Sequence, residues 1–236
     1  MCHLHCVISS QNCPRKKQHI PIFFTAYKRR LSCSDTIKNV LCTIENSLNF
    51  KINLCILNTD LTSAFDTLSR GLLFDIMRLA NFPNFFINSI KEVQNGAKIH
   101  VTSTIFSPLG EPVSQTSSIS QGDALSGDLF NLGLLPLIIV LNYRSNIDRY
   151  QLRCDINMPL QDPGSPPISS TITYSDDCIS MLTSNDNYAS VFNTLNLVKK
   201  YATFSSLQLS LSKTCVCFIG GLPDNDILNK FTSFGL

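Results

Sequence analysis

The sequence predicts an α+β fold in which helices and antiparallel strands do not alternate regularly. Leu54 to Asp60 is an apolar run that ends in polar residues, which is typical of a buried strand. Residues 169–175 and 178–182 are rich in Thr and Ile and flank Asp176-Asp177, which predicts a β-hairpin with two acidic residues at its tip. The predicted order is helices, one strand, helices, hairpins, a helix and strands. That order indicates α+β rather than repeated βαβ units.

The other predicted elements follow from hydrophobic periodicity and from capping and turn residues. A cap at Ser34-Asp35 begins the first helix, and Pro83 separates the second helix from the third. The predicted helices are 34–48, 69–80, 84–94, 124–142 and 185–204. The remaining predicted strands are 98–106, 111–118, 208–211 and 215–219, with Ser212-Lys213-Thr214 as the link between the last two.

The composition is that of a folded globular chain. Its 236 residues are 44% hydrophobic, and they suffice for one large domain or two small ones. Charged residues make up 15% and the formal net charge is +2, far from the strongly basic balance of an autonomous nucleic-acid binder. An enzyme with a positive nucleic-acid groove and a negative metal site would also be nearly neutral. Composition alone therefore leaves the function open.

Cysteine usage indicates an intracellular protein of the nucleus or cytoplasm. The 10 cysteines are scattered, mostly within apolar runs, and there is no signal-peptide pattern. One N-terminal cluster fits no zinc-finger spacing, so a loose terminus is favoured over a zinc site. That cluster comprises Cys2, His3, His5, Cys6, Cys13 and His19. The most apolar run, Leu134 to Leu141, is too short to span a bilayer and contains Pro136, so no membrane partner is expected.

Three motifs suggest chemistry: Asp60 at a strand end, Asp176-Asp177 at a hairpin tip, and Gln121-Gly122-Asp123 before the long helix. Phosphoryl transfer needs charge neutralisation and in-line positioning more than covalent help. Two divalent ions can stabilise both the attacking and the leaving oxygen, and Mg²⁺ prefers oxygen ligands. A strand end and a hairpin tip on one sheet can bring Asp60 and Asp176 face to face, where cations would relieve their repulsion.

Each motif also has a purely structural explanation. Asp176-Asp177 suits a tight turn, Asp60 can simply end a strand, and Gln121-Gly122-Asp123 can cap a helix. Taken singly, these explanations are favoured. The ordered set of all three favours nucleotidyl transfer.

In this order the motifs resemble those of the reverse transcriptases of LINE-type, non-LTR retrotransposons. Residues 57–66 (LNTDLTSAFD) resemble the first palm motif, and residues 120–132 (SQGDALSGDLFNL) resemble the next one. Tyr174-Ser175-Asp176-Asp177 resembles the Tyr-x-Asp-Asp box. Residues 207–214 (LQLSLSKT) resemble the motif that follows, and residues 26–33 (AYKRRLSC) resemble a fingers segment.

The resemblance covers about residues 24–236 and includes departures. Ala124 and Gly127 stand where the family usually has proline, and Phe24 replaces a common glutamine. None of these departures touches the acidic residues. They bear on dNTP affinity more than on chemistry.

The resemblance implies specific site residues. Asp60 and Asp176 would hold two Mg²⁺ ions, or Mn²⁺ as an alternative, with Asp177 beside them and the Leu61 carbonyl as a further ligand. Phe65 would lie under the deoxyribose and exclude a 2′-hydroxyl, although an ordinary core aromatic is the simpler explanation of Phe65 taken alone. Gln121 would lie against the base and sugar. Lys213, Lys28 and Arg30 would contact the phosphates.

The implied fold is a right-hand polymerase: an α+β palm, in which helices pack on an antiparallel sheet, with partial fingers and the thumb missing. Residues 1–50 would be partial fingers with an irregular N-terminus, and residues 51–236 the palm with a fingers insertion at about 67–120. Phe231 to Leu236 resemble the start of the primer-gripping strand pair.

The implied function is RNA-directed DNA polymerisation, with an RNA template, a DNA primer and dNTPs as partners and no small-molecule cofactor beyond the metal. The alternatives are an inactive retrotransposon remnant or a nucleic-acid-binding module. A third alternative, an RNA-dependent RNA polymerase, is disfavoured by Phe65.

Overall fold

A computed structural model describes most of the chain from residue 32 onward. The described residues are 24, 26, 32–96, 98–99, 111–114, 119–120, 123–143, 147, 149–150, 170–184 and 186–236. Gln121, Lys28, Arg30 and the N-terminal Cys/His cluster lie outside them, so their predicted roles stay predictions.

A four-stranded antiparallel sheet carries the site, as the α+β prediction requires. Its strands are β1 (Leu54–Thr62), β4 (Thr171–Tyr174), β5 (Asp177–Thr183) and β6 (Gln208–Ile219), in the spatial order β4-β5-β1-β6. All neighbouring strands are antiparallel. Two short strands, β2 (Lys98–Ile99) and β3 (Val113–Ser114), form a separate pair and agree with part of the predicted hairpin there.

Seven helices are present among the described residues, and five of them match predicted helices to within a few residues. They are α1 (Cys33–Asn49), α2 (Ala64–Thr67), α3 (Arg70–Leu79), α4 (Asn84–Asn95), α5 (Ser126–Tyr143), α6 (Ala189–Ser205) and α7 (Asn225–Phe234). The N-cap of α1 is Ser32 rather than the predicted Ser34-Asp35, and Asp35 lies at the third helical position, where its Oδ2 accepts from the Ser32 N–H over 2.8 Å in a capping box.

β1 is buried on both faces, which explains why its sequence is a continuous apolar run. Cys55 and Leu57 belong to the larger core, which α5 and α6 also line. Leu54 and Ile56 alternate with them and face a smaller cluster that includes residues of α1. This sandwich makes β1 a rigid support for the polar residues at its end.

The long helix α5 belongs to the core of the described structure. It is long and apolar enough to cross a membrane by length and composition alone. Ten of its 18 residues are buried. Gly133 allows α5 to lie close to Leu68, because a Cβ at position 133 would be 2.6 Å from Leu68 Cδ2.

The expected strand pair at Phe231 to Leu236 is wrong, because these residues continue into helix α7 and its C-terminus. Asp224 Oδ1 accepts a hydrogen bond of 2.8 Å from the Ile227 N–H and thereby caps the helix. Ile227 and Phe231, four residues apart, are both buried in the core. This helical periodicity outweighs the aromatic and glycine-containing pattern of the last residues.

Candidate active site

The site lies near the C-terminal end of β1 and at the N-terminal end of β5, which are adjacent antiparallel strands. Thr59 pairs with Cys178, and continuing the same antiparallel register by one residue sets Asp60 opposite Asp177. Residues opposite one another in such a pair have Cβ atoms about 4.5–5.5 Å apart. The Thr59 hydroxyl donates to the Cys178 carbonyl over 3.2 Å beneath the two acidic residues. The sheet therefore brings together two carboxylates that are distant in sequence.

The predicted hairpin is present and places a third carboxylate beside them. Tyr174 pairs with Asp177, so Ser175 and Asp176 form a two-residue turn. Ser175 has a left-handed backbone with φ of 58°, as the first central residue of such a turn can require. A non-glycine residue adopts this conformation at some cost in free energy. The turn leaves Asp176 at the tip, next to Asp177, whose carboxylate interacts electrostatically with both Asp176 and Asp60.

The opposite neighbour, β6, is irregular beside Asp60. Asp60 pairs with Ser210, whereas Asn58 pairs with Cys215. Two steps along β1 thus correspond to five along β6, so β6 carries three extra residues that bulge out of the ladder. The predicted link at Ser212-Lys213-Thr214 is wrong as a break between two strands, because β6 continues through it.

The bulge brings Lys213 to Asp60. The Thr214 hydroxyl donates to the Ser210 carbonyl over 2.7 Å and closes the bulge on itself. The Lys213 Nζ then lies 3.5 Å from Asp60 Oδ2, with the two side chains 68% and 14% exposed. Asp60 Oδ2 is buried and accepts no hydrogen bond within the described part of the chain. The Lys213 ammonium supplies the positive charge next to it.

The electrostatics of Asp177 show that the four charged groups share one environment. Burial raises the pKa of Asp177, and the negative charges of Asp176 and Asp60 raise it further. The positive charge of Lys213 acts in the opposite direction. Such crowding of like charges is common at functional sites. Nevertheless, no group of three or more His, Cys, Asp or Glu side chains is close enough to form a metal site by itself, within the residues described.

Phe65 lies on α2, two residues after the left-handed Ser63 that follows β1. Its ring stacks on the buried Phe130 of α5, with centroids 4.5 Å apart and planes inclined by 23°. Its carbonyl accepts a 2.9 Å hydrogen bond from the Ile119 N–H. Phe65 is half-buried at the margin of the core. This position is compatible with packing and with contact to a ligand.

Two other predicted positions have structural contacts. The Leu61 side chain is buried in the core, so only its main chain could serve as a ligand. Asp123 Oδ1 accepts from the Leu125 N–H at 3.4 Å, which forms a turn just before α5 begins at Ser126 rather than a cap on a helical N–H.

Sequence reasoning missed the ion pair between Lys213 and Asp60 and the part that Thr214 plays in it. The signal was present as a short polar stretch, Ser210 to Thr214, inside an otherwise apolar strand sequence. A polar interruption of this kind is equally typical of a bulge within one strand and of a turn between two strands.

Comparison with known proteins supports the fold but gives no family. No protein-family model matches the chain, and no curated protein matches it. Among solved structures it is similar to apo telomerase from Candida tropicalis truncated from its C-terminal domain, with a TM-score of 0.53 and 15% identity over 86% of this chain and 37% of that one.

Two telomerases in complex with the TWJ fragment of telomeric RNA are also similar. The Candida albicans enzyme has a TM-score of 0.56 and 16% identity over 83% of this chain and 32% of its own. The Candida tropicalis enzyme has a TM-score of 0.55 and 13% identity over 92% and 32%. The chain thus spans about a third of the length of these telomerases. At such identities the likeness concerns the fold, which is reverse-transcriptase-like.

Proposed function

We propose that this chain is the RNA-directed DNA polymerase core of a non-LTR retrotransposon. The observation that carries the proposal is the convergence of Asp60, Asp176 and Asp177 at one end of the two central strands in a reverse-transcriptase-like fold. These acidic residues come from two separate motifs more than 100 residues apart. Turn formation explains the acidic pair alone, but it does not explain why a third acidic residue lies opposite on the neighbouring strand.

The residues present suit divalent magnesium. The donors are carboxylates, which Mg²⁺ prefers, and Asp60 Oδ2 is a buried oxygen that lacks a hydrogen bond within the described residues. Asp60 and Asp176 would hold the ions, assisted by Asp177 and the Leu61 carbonyl. When bound, the ions supply charge neutralisation for the attacking 3′-hydroxyl and the leaving pyrophosphate.

The remaining residues position the substrates. Lys213 reaches the carboxylates from β6 with a largely exposed side chain, so its ammonium can contact the triphosphate of an incoming nucleotide. Phe65 presents the half-exposed side of a ring held by Phe130, and in the proposal this surface excludes a 2′-hydroxyl. Gln121, Lys28 and Arg30 complete the proposed nucleotide site.

The part of RNA in the proposed function is supported by two kinds of observation. Two of the similar telomerases form complexes with a fragment of telomeric RNA. The motif order separately resembles that of reverse transcriptases of non-LTR retrotransposons, and the proposed retrotransposon origin rests on that resemblance.

A binding module without catalysis is the second candidate. It is favoured by one observation: within the described residues no three potential ligand side chains are already close enough to chelate an ion. A module of this kind would bind primer–template without extending the primer.

Primer extension on an RNA template separates the two candidates. Purified protein is incubated with labelled DNA primer, Mg²⁺, and either dNTPs or NTPs, while primer–template binding is measured in parallel. The polymerase proposal predicts extension with dNTPs that is lost in Asp60→Asn and retained in Asp75→Asn, an exposed acidic residue of α3. Binding without extension in the wild-type chain would favour the binding module.

A further inference from the structure

Lys213 reaches Asp60 because of the bulge in β6. If the pairing of Asp60 with Ser210 continued regularly, Lys213 would lie opposite Leu57, whose side chain is in the core. A lysine there would have to bury its charge, at a large cost in free energy. The three extra residues place Lys213 on the side of the carboxylates instead. The irregularity in the pairing of β1 with the edge strand β6 thus brings one ammonium group to one carboxylate.

The two side chains of this ion pair differ in solvent exposure. Asp60 is mostly buried on a strand that is covered on both faces, so its carboxylate is fixed. Lys213 is mostly exposed at the outer part of a bulge, so its ammonium can leave without disturbing the core. The ion pair contains one buried oxygen, Asp60 Oδ2, with no hydrogen bond from the described residues. A cation that binds this oxygen must compete with Lys213.

We propose that Lys213 is a displaceable counter-ion. Its ammonium occupies the cation position beside Asp60 Oδ2 until a divalent ion binds, and binding of that ion releases it. This inference rests on the proposed function, because the competing ion is the polymerase metal. Release leaves a free positive charge next to the carboxylates, where an incoming triphosphate would bind. Metal binding and nucleotide binding are therefore coupled through one side chain, with the metal binding first.

The first test measures Mn²⁺ affinity of the full chain by the loss of the free Mn²⁺ signal in electron paramagnetic resonance. Lys213→Met removes the competing charge and should tighten Mn²⁺ binding, on the order of 3- to 10-fold for a partly exposed ion pair. Lys213→Arg keeps the charge and should bind like the wild type. Lys51→Met is the matched control, because Lys51 precedes the opposite end of β1 and should have no effect.

The second test distinguishes displacement from simple charge repulsion. Acylation of individual lysines is followed by mass spectrometry, since an ion-paired ammonium reacts more slowly than a free one. Saturating Mn²⁺ should increase the reactivity of Lys213 several-fold and leave Lys51 unchanged. Asp60→Asn should give the same increase without metal.

The possible outcomes separate this inference from the proposed function. Equal Mn²⁺ affinity in wild type and Lys213→Met, or Lys213 reactivity that does not respond to Mn²⁺, would overturn the exchange and leave the metal site standing. Failure of both proteins to bind Mn²⁺ at millimolar concentration would overturn the metal site and the exchange together.

Discussion

At the scale of single residues, the Asp177 carboxylate lowers the stability of the folded chain at neutral pH. Burial and its acidic neighbours raise the pKa of Asp177 in the folded state above its ordinary value. The protonated form therefore favours folding below the unfolded-state pKa, and this contribution is lost as the pH rises through the folded-state pKa.

Asp177→Asn should therefore stabilise the protein at pH 7, by less than about 1 kcal/mol because the side chain is partly exposed. The difference from wild type should shrink as the pH falls and vanish below the ordinary pKa of an aspartate side chain. Urea unfolding at the two pH values measures both effects, with Asp75→Asn as the control. A variant less stable than wild type at pH 7 would show that Asp177 makes favourable contacts that outweigh the repulsion.

Substitution of Phe65 shows whether this residue selects the sugar of the incoming nucleotide or only packs in the core. Phe65→Val shortens the side chain and should lower the dNTP-to-NTP ratio of kcat/KM by about 10-fold or more, since space opens for a 2′-hydroxyl. Phe86→Val is the matched control, because it removes a ring from the separate Phe82–Phe86 stack and should leave the ratio unchanged. An unaltered ratio in Phe65→Val would identify Phe65 as a packing residue.

At the scale of elements, the hydrogen bond within the β6 bulge should contribute measurably to the free energy of unfolding. Thr214→Val keeps the side-chain volume but removes the hydroxyl that donates to the Ser210 carbonyl. We expect a loss of about 0.5–1.5 kcal/mol in the free energy of unfolding. Urea denaturation measures it, and Thr203→Val, which removes an exposed hydroxyl bond on α6, should cost less. Equal losses in the two variants would contradict a special role for Thr214.

The contact of α5 with Leu68 can be tested by overpacking. Gly133→Ala places a methyl group 2.6 Å from Leu68 Cδ2 in a fully buried position, and should destabilise the protein by about 1–3 kcal/mol. Gly71→Ala on α3 is the matched control, because the nearest atom would be 3.6 Å away. That substitution should be neutral or stabilising, by up to about 1 kcal/mol, owing to better helix propensity. Thermal unfolding of the two variants compares them directly.

Elements with a strong local pattern were predictable. The apolar run of β1 and the acidic hairpin tip of β4 and β5 were identified to within two residues, because burial and turn chemistry leave a direct pattern. The polar residues of the β6 bulge have the composition of a turn. Local sequence does not reveal that pairing of β6 with β1 resumes at Cys215. In α7, the capping Asp224 and the four-residue spacing of Ile227 and Phe231 predict a helix, whereas the aromatic and glycine-containing ending resembles a turn.

At the scale of the whole molecule, the sheet brings the site together. Asp60 and Asp177 are separated by more than 100 residues and meet through antiparallel pairing of β1 with β5. The sequence predicts that a strand end and a hairpin tip meet on one sheet, but with Asp60 facing Asp176. The register instead sets Asp60 opposite Asp177, because the two-residue turn is Ser175-Asp176 rather than Asp176-Asp177. The pairing of Asp60 with Lys213 could not be predicted, because it depends on a register shift between β1 and β6. Folding of the sheet and assembly of the site are thus one process.

The same architecture occurs in telomerases at 13–16% identity, so the fold depends on burial patterns more than on particular residues. In the proposed function, the carboxylates at the end of the two central strands catalyse nucleotide addition.

Single-turnover addition of one dNTP to a primer on an RNA template tests that claim most directly, with wild type, Asp176→Asn and Asp75→Asn compared. If the claim is correct, Asp176→Asn loses nearly all activity, on the order of 10³-fold or more, while its unfolding curve and primer–template affinity match those of wild type. Asp75→Asn keeps the wild-type rate. Nucleotide addition by Asp176→Asn at the wild-type rate would contradict the assignment of these carboxylates as the catalytic site.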